Sequence, residues 1–187
     1  MKHLIRHSLG AALLSAAVCA NLHAEPTASG AVDFGKFTPP SSGREFVEVN
    51  IGSNLISMVA RLGKNSEPEI ADALQGLQGI HVNVIGLDDT NRAELQKRVK
   101  KVRDELDGKG WERIVTVQEK DQDVAVQIKT RGEEAIQGVV VTVLDGDKEA
   151  VLVNVVGDIK PEKLATIGER FDIEPLKKIG LAHKKQQ

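Results

Sequence analysis

From Trp111 onward four Val-rich runs follow one another with only short polar turns between them: WERIVTVQ, DVAVQIKT, AIQGVVVTVL and EAVLVNVVG. Branched aliphatic side chains at this density, with DGDK (145–148) between two of the runs, read as strands with a hairpin signal. A chain that commits this much of its length to a meander is restricted to a mostly antiparallel sheet. The first half supplies what such a sheet lacks. EFVEVNI alternates, with Val47, Val49 and Ile51 on one face, and IHVNVIGL alternates likewise through Ile80, Val82 and Val84.

Between and after these strands the apolar period changes to that of a helix. SNLISMVARLG sets Leu55, Val59 and Leu62 at helical spacing and stops at Gly63. SEPEIADALQGLQG carries Ser66 and Glu69 as a capping box, an apolar stripe of Ile70, Leu74 and Leu77, and Gly79 as its end. NRAELQKRVKKVRDELDGKG is the clearest helix, with Leu95, Val99, Val102 and Leu106 as its apolar seam. Glu94–Arg98, Lys101–Glu105 and Arg103–Asp107 are spaced to pair on an otherwise solvated rod. A last helix is expected from Pro161 through Leu164, Ile167 and Phe171. The order β-α-α-β-α-β-β-β-β-α predicts an α+β fold, one mostly antiparallel sheet of about six strands with helices packed on one face.

The N-terminus reads as an export signal rather than as fold. Lys2 and Arg6 precede LGAALLSAAVCA, and NLHA closes the segment, the charged–apolar–small order of a secretory leader cut after Ala24. Cys19 would be a lipid anchor if a small residue preceded it, but Val18 stands there. The organisation expected is a signal peptide at 1–24, a flexible leader at 25–43 with Phe34 and Phe37 docking it, one domain at 44–172 and a basic tail at 173–187. Past residue 24 there are 23 Lys and Arg against 27 Asp and Glu, and no cysteine. That balance, with one Trp and no Tyr, argues against nucleic-acid binding, and no segment approaches the length of a transmembrane span. The expected location is the periplasm.

VNIG (49–52), VNVIG (82–86) and VNVVG (153–157) echo one another, each ending in Gly before a segment expected to be helical. Phosphate loops need more glycines or a following Lys with Ser or Thr, and here Asp88, Asp89 and Asp158 would repel the anion. The echo therefore reads as a structural joint. Its asparagines alternate with the valines, so Asn50, Asn83 and Asn154 share the face opposite the apolar one, with Glu48, His81, Thr116, Gln127 and Lys129 beside them. With helices over the Val face, Asn50, His81, Asn83 and Asn154 form a candidate interaction face.

Catalytic chemistry is sparse. Beyond the leader only His81 and His183 remain, there is no HExxH or GxSxG, and DGDKE lacks the ligand set of a calcium loop. No catalytic, cofactor or metal residue is assigned. VDFGKF, FVEVNIGSNLISMVARL and VLVNVVGDIKPEKL resemble an exported bacterial family catalogued as domain of unknown function 4252, over about residues 32–172. The resemblance implies a small envelope protein, in many members a lipoprotein, with no activity or catalytic residue to carry over. The expectation is a non-catalytic envelope module that binds another envelope protein. The alternative is a carrier of a small apolar ligand or lipid in a cavity between sheet and helices.

Overall fold

A computed structural model describes residues 28–132, 135–160 and 163. The chain forms β1 (Phe46–Gly52), α1 (Ser53–Gly63), α2 (Pro68–Leu74), β2 (Leu77–Gly86), α3 (Arg92–Asp107), β3 (Glu112–Gln118), β4 (Gln122–Arg131), β5 (Ala135–Asp145) and β6 (Glu149–Ile159). The six strands make one sheet in the order β1-β2-β6-β5-β4-β3, every neighbouring pair antiparallel. The α+β class and the order β-α-α-β-α-β-β-β-β are those read from the sequence. The expected signal peptide with Cys19, the helix after Pro161, His183 and the basic tail lie outside the described residues.

The helices are not all on one face, and the topology says why. β3 lies at the far edge of the sheet from β1, four strand spacings from β2, about 19 Å away. The β2–β3 connection must span that width, and α3, with 16 residues, is about 24 Å long. It crosses one face, and the meander β3–β6 then returns so that β6 pairs with β2. α1 and α2 lie on the other face. Alternate residues of β5 and β6 accordingly feed two cores. Val139, Val141, Val153 and Val155 pack with Ile56 of α1 and Leu74 of α2. Val140, Ala150 and Leu152 pack with Leu95, Val99, Val102 and Leu106 of α3.

Some local details depart from the sequence reading. α2 has Glu67 as its N-cap residue and Pro68 at its start, without a side-chain cap bond, so the Ser66–Glu69 box does not form. α2 also ends at Leu74; Leu77 and Gly79 belong to β2, where Gly79 faces Gly52. The DGDK hairpin closes with a three-residue loop, since Asp145 pairs with Glu149, rather than with a two-residue Asp-Gly turn. After the third echo β6 runs on to Ile159 as strand.

The β5–β6 hairpin gathers negative charge. Burial first, and then Glu45 and Asp145 nearby, push the Glu149 carboxyl above its usual range against the opposing pull of Lys148. A carboxyl raised in the fold is penalised once ionised, so its cost is absent below the unfolded value, about 4.3, and grows as the pH rises through the folded one. Glu149→Gln should therefore be more stable than the wild type at pH 7, with the gain vanishing below about pH 4, as read by denaturant melts across the range. A gain that persists at pH 3 would show that charge is not its source.

Candidate interaction surface

Cross-strand register puts the polar residues of the second face into one row. Asn50 faces His81, His81 faces Asn154, Asn154 faces Val140, Val140 faces Gln127, and Gln127 faces Arg113. The four candidate residues do share a face, but α3 and the leader cover most of it.

Asn154 is fully buried and binds the leader. Its Oδ1 accepts from the Val32 N–H at 2.9 Å, while its Nδ2 donates to the Gly30 and Val139 carbonyls at 3.0 and 3.2 Å. Close approach at this crossing depends on glycine: a Cβ on Gly138 would stand 2.6 Å from both the Gly30 carbonyl and the Trp111 ring. Phe34 is buried in the α3-side core and Phe37 packs against it, with the Arg98 guanidinium 4.7 Å above the Phe37 ring. Farther along, the Ser42 hydroxyl donates to Asp88 at 2.6 Å. That bond first, and then those from Thr90 and Asn91, hold the Asp88 carboxyl well below its usual range. Asp88, which looked like a barrier to phosphate, organises the turn into α3.

Under α3 the polar row is satisfied internally. Gln127, 1% exposed, donates to the Arg103 carbonyl at 3.2 Å and to Asp107 at 2.7 Å. Arg103 does not pair with Asp107 on a solvated rod. It turns inward, its Nε donating to the Thr142 hydroxyl at 2.7 Å and its Nη1 to both Asp123 oxygens at 2.8 and 2.9 Å. Asp107 takes Arg113 instead, at 2.7 Å. Helical spacing offered no sign of this, because the partners of Arg103 lie 20 and 39 residues away.

What stays accessible is the corner at the β1 edge. Asn50 donates to Glu48 at 2.8 Å, and its carbonyl oxygen meets His81 Nδ1 at 2.8 Å. With the Asn50 amide so oriented, Nδ1 carries the proton. Asn83, next along β2 on this face, is buried. Thr116 is exposed on β3 and Lys129 half-buried on β4. The corner trio offers hydrogen bonds and no Ser, Thr or Cys nucleophile.

The opposite side of the same corner is apolar. In α1, Ile56 is buried and Ala60 half-buried against the sheet. Leu55, Met58, Val59 and Leu62 are 44, 46, 44 and 73% exposed, and Val47 of β1 is 36% exposed. The stripe read as Leu55–Val59–Leu62 is therefore displaced: the apolar arc of α1 is wider than its contact with the sheet, and the flank spills into solvent. Among the described residues no group of three His, Cys, Asp or Glu side chains is placed to hold a metal ion. No described helix is long and apolar enough to cross a membrane.

Comparison with known proteins gives one match, the family model "Domain of unknown function (DUF4252)", over residues 41–167. Neither the curated proteins nor the solved structures gave a match.

Proposed function

From a chain that belongs to the DUF4252 family, itself without a known function, we propose a non-catalytic module of the cell envelope that docks through the β1–α1 corner. One observation carries this reading. Of the large apolar side chains exposed among the described residues, all but Ile114 lie within residues 47–62. Scattered apolar exposure is normal, but concentration on one strand and the helix that follows it marks an interaction site. On the other face of the sheet at the same edge, the polar trio Glu48, Asn50 and His81 holds oriented hydrogen-bonding groups, so the corner offers a partner both apolar and polar contacts. Export rests on the charged–apolar–small order of residues 1–24. The carrier reading has less support, because the side chains facing each other between sheet and α3 form one buried cluster.

The test is Val59→Glu with Leu62→Glu in the full-length exported chain. Both positions are exposed, so, compared as single chains at low concentration, the variant should melt within about 0.5 kcal/mol of the wild type. On gentle extraction of the envelope the wild type should migrate above the size of one chain and the variant as one chain. Equal assembly in both would remove this surface from the function.

A further inference from the structure

We infer that the partner seated on this corner is a second copy of the same chain, joined edge to edge through β1 about a two-fold axis at Val49. The inference rests on the docking reading above and names its occupant.

The two sheet edges are built differently. β3 carries Glu112 and Arg113 and is interrupted by a bulge between Arg113 and Val115. Charges and bulges are how proteins keep an edge from pairing. β1, Phe46–Gly52, is paired with β2 in unbroken register, with Glu48 as its one charge and neither Lys nor Pro. Its backbone parity is fixed by the Gly86 N–H donating to the Glu45 carbonyl. Glu45 lies one step beyond the Phe46–Ile85 pair, so Val47, Val49 and Ile51 exchange bonds with β2. The N–H and C=O groups of Phe46, Glu48 and Asn50 therefore point off the sheet.

Those outward groups fit a copy of themselves in one register. An antiparallel partner centred on Val49 sets Glu48 opposite Asn50 of the second copy, an acceptor against a donor, twice over. Shifting the centre to Glu48 would set two carboxylates opposite each other, which like charges disfavour. In the favoured register Val47 meets Ile51 of the second copy, both on the α1 side of the sheet. α1 packs on β1 and β2 with α2 beside it, so its bare flank continues the apolar strip of the strand and meets its symmetry mate. The exposed parts of Val47, Leu55, Met58, Val59 and Leu62 come to about 400 Å² per copy, about half of the ~800 Å² per partner of a standard interface. The strand edge and the polar trio supply the remainder. A two-fold contact of this kind closes on itself and does not propagate into a fibre.

The experiment uses the purified full-length chain in a Cys19→Ser background. At tens of micromolar its native mass should be that of two copies, and Val59→Glu with Leu62→Glu should return it to one copy that keeps a cooperative melt, lowered only by the loss of the dimer's concentration-dependent stabilisation. Val49 and its mate form a non-hydrogen-bonded pair, the kind whose Cα atoms are about 4.5 Å apart, within disulfide reach. Val49→Cys should therefore give a covalent dimer under mild oxidation, while Val117→Cys on β3 gives none. A one-copy mass at all concentrations overturns the inference. It leaves the docking reading standing if the Glu variants still dissolve the assembly in the envelope. A one-copy mass with the α1 flank protected from exchange until residues 164–187 are removed would assign the flank to the chain's own end. A dimer that Val49→Cys does not trap would overturn the β1 register.

Discussion

Gly157→Ala should destabilise the fold by about 4 kcal/mol, the sum of two independent penalties. Gly157 has φ +148°, a backbone conformation L side chains rarely adopt, and such strain costs about 1–3 kcal/mol. A Cβ there would also run into the Gly76 carbonyl and stand 2.7 Å from the Leu77 Cα, and forced overpacking of this sort costs a further ~1–3 kcal/mol. Neither neighbour can swing away, because both are backbone at the start of β2. The reciprocal contact holds too, since Gly76, at φ +93°, packs against the Asp158 carbonyl. In a domain of this size 4 kcal/mol corresponds to a fall in Tm of about 10–15 °C. The three Gly echoes make their own controls. Gly52, at φ −88°, has nothing within 4 Å of a Cβ, and Gly52→Ala should be close to neutral. At Gly86 a Cβ would meet the Arg44 side chain at 2.6 Å, and Gly86→Ala should fall between the two. Denaturant melts that ranked the three equally would show that the joints are not what fixes these positions.

That gradation also shows where sequence reasoning reaches. The element order follows from periods of two and of 3.6, and both are local properties. Leu95, Val99, Val102 and Leu106 all lie in the core as their spacing predicts, because a helix with one apolar stripe has only one way to sit on a sheet. α1 is different. Its apolar arc runs from Ala60 past Ile56 to Met58, wide enough for several seatings, and the one adopted buries Ile56. Sequence shows the width of such an arc and leaves open which part meets the sheet. The distribution of helices over the two faces depends on strand order, which is a long-range property. Once β6 lies between β2 and β5, α3 has to cross the face that the alternation of Asn and Val had marked as polar.

The candidate face shows the same limit from the other direction. Polarity predicts exposure for Gln127 and Asn154 on this face, yet both, like Thr142 beneath α3, are 1% exposed or less. Their polar atoms are matched by Arg103, by Asp107 and by the leader backbone. A buried amide is stable wherever partners come to it, and here the partners come from segments 20 to 124 residues distant. A clue was present in β5 and β6, where GVVVTVL and AVLVNVV hold no charged residue on either side, the composition of strands covered on both faces. The echo of three Asn residues drew together one exposed residue, Asn50, and two buried ones, Asn83 and Asn154.

Asn154→Ala should release the leader while leaving the sheet folded. The substitution strips hydrogen-bond partners from the Val32 N–H and from the Gly30 and Val139 carbonyls. A buried polar group left unmatched costs about 1–3 kcal/mol, so three such losses would exceed what a short docked segment can sustain. Two of the three groups belong to the leader and regain water if it peels away; the Val139 carbonyl alone remains with the sheet. Peeling forfeits the burial of Phe34, worth about 1.5–3 kcal/mol, which is less than the penalty of staying. The loss of global stability should therefore stop near the value of leader docking, about 3 kcal/mol, with a cooperative melt retained. Trp111 reports the event directly. It is the only Trp of the chain, it is 7% exposed, and its ring packs where the leader crosses Gly138. Asn154→Ala should red-shift its emission in the native state and open residues 28–45 to limited proteolysis. Ser29→Ala, which removes an exposed bond to Gln137, should do neither. Native-like emission and protease resistance in Asn154→Ala would mean that Phe34 and the Gly30–Gly138 crossing hold the leader without the amide.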